Sequence, residues 1–247
     1  PFGDRADRLL RQLTLSEKIG QMSSTAPAVT RAGGEQLIPA FEWWSECLHG
    51  AKVDSATEGG ATIFPQPIAL AASFDRQLVQ DVASAIGDEL RAKSNAAEQQ
   101  GLGPRMTHCF GPNINLFRDP RWGRGSETSG EDPALTGALA KAFVRGLQGS
   151  HSRYRKAGAT CKHCAAYSLE EWEGVSRFEG ADVCRDVRDS YLPAFQACAI
   201  EAGSASVLCS YNAINSTPAC ANRWLLQEQL RGRMQFGGFV VSDCGAI

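Results

Sequence analysis

The segment AGATCKHCAAY, residues 157–167, has the pattern of a short buried strand that ends in a charged pair. Small and apolar residues fill its first part, and Lys162-His163 follows where the apolar run ends. A helical pattern over about 183–202 comes next along the chain. A strand, a polar strand end and a helix in this order are typical of α/β folds with a parallel sheet.

The same alternation extends along most of the chain. Residues 4–22 carry apolar residues at helical spacing, and Thr14 with Glu17 three positions on predicts a capping box for a second helix. Residues 23–40 are predicted to form a loop. The remaining predicted strands are 61–65, 106–115, 205–215 and 238–244, and the remaining predicted helices cover about 75–98, 133–148 and 222–231.

Two architectures have this alternation, an open doubly wound sheet and a (β/α)8 barrel. No Gly-x-Gly-x-x-Gly turn follows a predicted strand, so dinucleotide binding has little support. In a barrel, polar residues at the carboxyl ends of the strands converge on one face. Three predicted strands end in this way, at Lys162-His163, Ser210-Tyr211-Asn212 and Ser242-Asp243. We therefore expect an α/β fold of the (β/α)8 TIM-like barrel type.

The ends of the chain suggest a segment of a longer protein. A parallel strand is covered on both faces, yet Ile247 follows the last predicted strand without a helix. We expect one catalytic barrel domain over residues 1–247, truncated before closure. The first residue is Pro1 and not Met, which predicts a processed or excised start.

Composition excludes several classes of protein. Hydrophobic residues make up 43% of the 247 residues, enough to bury a sizeable core. A net charge of −2 gives no basic surface for nucleic acid or an anionic membrane. No apolar run approaches the roughly 20 residues that span a bilayer, and no signal peptide is recognisable.

Cysteine usage predicts the compartment. Nine cysteines are too many for a typical cytosolic enzyme, and they favour an extracellular, secreted protein with one to three disulfides. Cys209 and Cys220 bracket a short loop and are the preferred pair. Asn215-Ser216-Thr217 is a glycosylation acceptor, which fits secretion. Cys161-x-x-Cys164 has no second ligand pair with similar spacing, so we expect no metal site, and no cofactor is indicated.

Two strand ends carry candidate catalytic groups. Asp243 follows a buried strand, and its carboxylate could act as nucleophile, general base or metal ligand, or could only cap a helix or form a structural ion pair. Lys162 could form a Schiff base, as in an aldolase, or hold substrate hydroxyls as a fixed cation. The alternative for the pair is an exposed lysine beside a hydrogen-bonded core histidine.

A charged loop precedes the predicted helix at 133–148. Its sequence is RDPRWGRGSETSGEDP, residues 118–133, and it fits neither a helical nor a strand period. Arginine forks bind carboxylates or hydroxyls in fixed geometry. We expect internal arginine–carboxylate pairs to tie most of the loop together and one arginine to remain for a substrate.

The segment FEWWSECLHG, residues 41–50, suits a sugar site. Two adjacent tryptophans can stack on the apolar faces of a sugar, while Glu46 accepts hydrogen bonds from its hydroxyls. Core packing is the alternative, and we expect it for at least one of Trp43 and Trp44.

Taken together, the motifs resemble glycoside hydrolase family 3, in its β-xylosidase branch, over almost the whole chain. Seven segments carry the resemblance in the family's order: LTLSEKIGQM, EWWSECLHG, ATIFPQPIALAASFD, GPNINLFRDPRWGRGSETSGEDP, CKHCAAY, CSYNAINSTPACAN and GFVVSDCGAI.

The resemblance implies a retaining mechanism with Asp243 as the nucleophile. It also implies five substrate ligands: Glu46, Arg124, Lys162, His163 and Tyr211. The general acid/base of the family comes from a C-terminal domain that this chain lacks, so the chain alone is expected to be weakly active or inactive. Family glucosidases usually carry aspartate where this chain has Glu46, which predicts a preference for xylose.

The implied activity is that of a xylan 1,4-β-xylosidase, which releases xylose from the non-reducing ends of xylo-oligosaccharides. Activity as a β-glucosidase or α-L-arabinofuranosidase at the same site is a close variant. A carbohydrate-binding remnant without catalysis is a second alternative, and a Schiff-base aldolase using Lys162 is a third.

Overall fold

The computed structural model describes residues 2–52, 60–102, 107–151, 153–179 and 186–247. Two short helices, α1 (Phe2–Leu10) and α2 (Leu15–Gly20), begin the chain. Thr14 and Glu17 form the predicted capping box at the start of α2, with both reciprocal hydrogen bonds present. Four short strands follow in antiparallel pairs: β1 (Thr25–Ala26), β2 (Val29–Thr30), β3 (Gln36–Ile38) and β4 (Phe41–Glu42).

A four-stranded parallel sheet forms the centre of the molecule. Its strands are β5 (His108–Cys109), β6 (Gly158–Cys164), β9 (Ser206–Cys209) and β12 (Phe239–Ser242), in the order β12-β9-β6-β5. Each strand pairs with the next one along the chain. Such sequential parallel pairing makes the curled half-barrel of a (β/α)8-like fold, so the predicted fold class is confirmed. Two short hairpins lie between these strands: β7 (Glu171–Trp172) with β8 (Val175–Ser176), and β10 (Ala213–Ile214) with β11 (Thr217–Pro218).

A short helix that the sequence does not predict, α3 (Pro67–Ala71), precedes the first long one. The remaining helices lie where the sequence predicts them: α4 (Arg76–Gln99), α5 (Pro133–Gln148), a composite helix and a last helix of π type, Trp224–Arg233. The composite helix joins π-helical Val187–Tyr191, α-helical Leu192–Phe195 and π-helical Gln196–Glu201. The start of its predicted range, residues 183–185, lies outside the described residues.

Two predictions of local structure are wrong. Residues 61–65 form no strand, because their backbone N–H groups do not pair with a neighbouring strand. The Thr62 N–H donates to the Glu89 carboxylate, and the Phe64 N–H donates to the His49 carbonyl. Residues 23–40 are not only loop, since β1, β2 and β3 lie there. These strands have two or three residues each, too few for an alternating pattern to show in the sequence.

Three disulfides tie the described chain together. Cys209–Cys220 is the predicted pair, and Cys47–Cys109 and Cys161–Cys198 are two more, at the upper end of the predicted number. Cys164 and Cys244 are free, while Cys184 lies outside the described residues. In the part of the chain that the structure describes, no helix is long and apolar enough to cross a membrane.

Candidate active site

The carboxyl ends of three neighbouring strands form the centre of the site. Lys162 and His163 lie at the end of β6, Tyr211 follows β9, and Asp243 follows β12. Parallel strands end at the same edge of a sheet, so their polar ends meet there as the sequence predicts. All four residues are largely buried, with exposed fractions between 1% and 8%.

A shift in strand register occurs at Lys162-His163. The pairing of β6 with β9 is irregular between Cys161 and Cys164. An irregularity of this kind re-aims the side chains of the strand, whose neighbours otherwise point to opposite faces. The Lys162 ammonium contacts the Glu46 carboxylate at 2.9 Å, and His163 contacts Arg124 and Asp243.

His163 is held in one orientation by its neighbours. Its Nδ1 lies 2.8 Å from Asn115 Oδ1, and its Nε2 lies 3.1 Å from Nη2 of Arg124. Because a guanidinium can only donate, Nε2 is the acceptor and Nδ1 carries the proton. Burial, together with the positive charges of Lys162 and Arg124, lowers the pKa of His163 well below its usual value. The imidazole is therefore neutral at ordinary pH.

Asp243 has one satisfied and one open carboxylate oxygen. Oδ1 accepts a hydrogen bond from the Cys244 N–H at 2.8 Å. Among the described residues, none donates a hydrogen bond to the buried Oδ2, and the neutral His163 Nε2 lies 3.5 Å away. Burial raises the pKa of Asp243, although the Cys244 N–H, the charges of Lys162 and Arg124 and the nearby Tyr211 hydroxyl act in the opposite direction. A buried oxygen without a partner is costly, and such groups are concentrated at catalytic centres.

Tyr211 lies beside Asp243. Its hydroxyl donates to the Cys244 carbonyl at 3.0 Å. Its pKa is raised by burial first and then by the negative charge of Asp243, so the phenol stays protonated. The ring packs against Tyr167, and the Arg177 guanidinium covers it at 3.9 Å from the ring centre.

The charged loop places Arg124 in the site. Arg124 holds Glu127 through two hydrogen bonds of 2.8 Å, and Arg121 pairs with Asp119 within the loop. Asp132 caps α5 by accepting from the Leu135 N–H. The predicted internal pairing of the loop is thus confirmed, but Arg124, the arginine expected to remain for a substrate, is itself part of that pairing.

Glu46 lies beside Trp44 on the segment that follows β4. Trp44 is 39% exposed, and its indole N–H donates to Glu46 at 3.0 Å. Trp43 instead packs against Phe41, His108 and Phe239, so the expected core role holds for this tryptophan. A cavity of about 590 Å³ opens between Glu46, Lys162, Arg124 and Glu127. Asp243 is not part of the cavity wall. It contacts His163, which in turn contacts Arg124 in that wall.

Sequence reasoning assigned no role to two residues that organise the site, Asn115 and Glu170. Asn115 fixes His163, and Glu170 lies 3.8 Å from Arg124, beside the loop pair of Arg124 with Glu127. Asn115 and Glu170 carried no signal, because both contacts depend on the tertiary fold.

The fold and the site together define a class of protein: a TIM-like α/β domain with a carboxylate-centred polar site at the carboxyl ends of its strands. A family model described as the glycosyl hydrolase family 3 N terminal domain matches residues 17–247. The chain belongs to glycosyl hydrolase family 3.

Named relatives cover the whole chain. It is 43% identical to a probable beta-D-xylosidase 7 of Arabidopsis thaliana over 100% of its length, and 46% identical to an exo-1,4-beta-xylosidase of Emericella nidulans over 99%. It spans about one third of these relatives, 33% and 32% respectively.

Solved structures show the same fold. A family 3 exo-beta-xylosidase in complex with a xylobiose aziridine probe superposes with a TM-score of 0.84 at 37% identity, covering 98% of this chain and 32% of that one. Beta-glucosidase 3B of Thermotoga neapolitana, in complex with glucose, reaches 0.76 at 27% identity, covering 97% of this chain and 34% of that one.

Proposed function

We propose that the protein is a retaining exo-β-glycosidase, a xylan 1,4-β-xylosidase that releases xylose from the non-reducing ends of xylo-oligosaccharides. The observation that carries the proposal is the open Oδ2 of Asp243, buried beside the neutral His163. This oxygen would attack the anomeric carbon, the bond to the leaving group would break, and water would then hydrolyse the glycosyl-enzyme.

The other proposed site residues bind the sugar. Lys162 and Arg124 donate hydrogen bonds to hydroxyls as fixed cations, Glu46 accepts them, and Tyr211 lies beside the nucleophile. The neutral His163 adds a ring nitrogen without adding charge. Their convergence at one strand edge supports this assignment.

The general acid is proposed to lie outside this chain, in a C-terminal domain that would be the partner of the barrel domain at residues 1–247. The chemistry of Glu127 supports this. Burial raises its pKa, yet the hydrogen bonds from Arg124, the charges of Lys162 and Arg124 and a hydrogen bond from Asn113 together hold that pKa below its usual value. An acid that stays ionised cannot protonate a leaving group. A general acid contributes roughly 10²–10⁴-fold, so the isolated chain would be a weak catalyst.

Xylose is proposed as the sugar, and the extracellular space as the location. The xylosidase names of the relatives support xylose as the sugar. The three disulfides support an extracellular location. β-Glucosidase activity is the second candidate, because a β-glucosidase shares the fold.

The direct test is a rate comparison with the full-length protein. We expect 4-nitrophenyl β-xyloside to be hydrolysed with a higher kcat/KM than the β-glucoside and the α-arabinofuranoside. Asp243→Asn should remove the activity on all three substrates. A higher kcat/KM for the glucoside would replace the xylosidase assignment with the second candidate.

A further inference from the structure

Glu46 lies on a segment without regular secondary structure. Residues 43–52 form neither helix nor strand, so no ladder of backbone hydrogen bonds fixes this carboxylate. The carboxylate nevertheless makes two defined contacts, with the Trp44 indole at 3.0 Å and the Lys162 ammonium at 2.9 Å. Something other than secondary structure must therefore place it.

The neighbouring residue, Cys47, is bonded to the sheet. Its disulfide partner Cys109 is the last residue of β5, and both cysteines are fully buried. The Phe110 N–H, next to Cys109, donates to the Ser45 carbonyl at 2.8 Å. Covalent and hydrogen bonds thus fix both neighbours of Glu46 to β5.

Lys162 lies on the adjacent strand, since β5 pairs in parallel with β6. The side chain of Lys162 is 2% exposed and that of Glu46 is 39% exposed. A buried ammonium that loses its partner is strongly unfavourable. The contact between them therefore depends on how accurately β5 holds the Glu46 segment beside β6.

We propose that the Cys47–Cys109 disulfide is a positioning element for Glu46, which holds the carboxylate against Lys162 and against the non-reducing-end sugar. The proposal rests on the proposed glycosidase function of this site. The disulfide closes a separation of 62 residues, so it also stabilises the fold. The test has to separate these two effects.

A double-mutant cycle in the full-length protein separates them. Cys47→Ala/Cys109→Ala is combined with Glu46→Gln, and kcat and KM are measured on 4-nitrophenyl β-xyloside well below the melting temperature. With Glu46 in place, we expect removal of the disulfide to raise KM about tenfold with little change in kcat. In the Glu46→Gln background, the same removal should change KM by less than about twofold. Equal factors in both backgrounds would overturn the proposal, because a purely structural disulfide acts independently of Glu46.

Cys209→Ala/Cys220→Ala is the matched control, since it removes a disulfide that does not join the Glu46 segment. Its effect on KM should be the same with Glu46 and with Gln. Coupling of similar size in the control would mean that any loss of cross-linking disturbs Glu46, which contradicts a specific role.

Hydrogen exchange gives a readout that needs no substrate. In Cys47→Val/Cys109→Ala, which refills the buried volume of the two sulfurs, the amides of Phe110 and Lys52 should lose protection, while those of β9 keep it. Both amides donate to this segment, to Ser45 and Glu46 respectively. Unchanged protection of these amides would overturn the positioning role of the disulfide, whether or not the protein hydrolyses a xyloside. A wild-type protein that hydrolyses no xyloside would overturn only the proposed glycosidase function.

Discussion

Single residues of this site have their protonation states set by burial. Burial lowers the pKa of His163 and raises that of Asp243. The His163 ring is therefore uncharged, and no described residue donates a hydrogen bond to Oδ2 of Asp243. Lys162 and Arg124 lower the pKa of this carboxyl group, although burial has the larger effect. A glycosidase nucleophile has to be ionised, and these two cations favour the ionised form of Asp243.

Glu46→Asp tests the proposed origin of a preference for xylose. The shorter side chain would vacate space that the glucose hydroxymethyl group needs, so the ratio of glucoside to xyloside kcat/KM should rise. One methylene is worth about 1–3 kcal/mol, which predicts a partial change of roughly 10–200-fold in that ratio. Glu42→Asp, the same change at an exposed position nearby, should leave the ratio unaltered. A flat ratio in Glu46→Asp would refute this account of specificity.

Elements of the fold could be predicted where the pattern is long. The helices α4 and α5 and the parallel strands were predicted from the alternation of helical and apolar stretches, and the structure shows Asp75 and Asp132 capping the two helices. The missing strand at 61–65 shows the limit: an apolar run predicts burial, but pairing depends on which neighbours the tertiary fold supplies. The register irregularity in β6 also had no signal in the sequence.

The crossing of α4 and α5 depends on two glycines. A Cβ on Gly87 would meet the Leu147 carbonyl, and one on Gly146 would meet the Gln80 carbonyl and the Ala83 side chain. We expect Gly146→Ala to lower the free energy of unfolding by about 1–3 kcal/mol, as overpacking of a tight contact does. Urea denaturation measures the change.

Gly3→Ala is the control for this prediction, because nothing lies within 4 Å of the Cβ it would add on α1. Alanine is the better helix former, so this variant should be neutral or slightly more stable. A Gly146→Ala variant as stable as Gly3→Ala would show that the helices do not pack this closely.

At the scale of the whole molecule, the sequence predicts which residues meet but not what holds them. Asp243, Lys162, His163, Tyr211 and Arg124 converge because strand ends and one loop follow a recognisable order. Two of the three disulfides, and Asn115 beside His163, join positions far apart in the sequence, and spacing alone does not select such partners.

A buried histidine away from the site makes the fold sensitive to acid. His108 contacts Ser206 at 2.6 Å and the Trp43 carbonyl at 3.1 Å, and burial lowers its pKa from 6.5 to about 4. The unfolded chain binds a proton at higher pH than the folded one does, so stability is lost as the pH falls from about 6.5 to about 4. The loss should be about 3 kcal/mol, measured by urea unfolding across that range.

His108→Gln removes this titration. The unfolding free energy of the variant should fall less between pH 6.5 and pH 4 than that of the wild type, whatever its absolute stability. Parallel curves for the two proteins would show that His108 does not carry the effect.

The central claim is that Asp243 forms a covalent bond to xylose. The most direct measurement is the intact mass of the full-length protein after incubation with a 2-fluoro-xyloside that has a very good leaving group, followed by peptide mapping. Such a leaving group departs without a general acid, so the readout reports on the barrel site itself. The account predicts a gain of one fluoro-xylosyl unit on Asp243; a folded protein that gains no mass, or gains it on another residue, would contradict it.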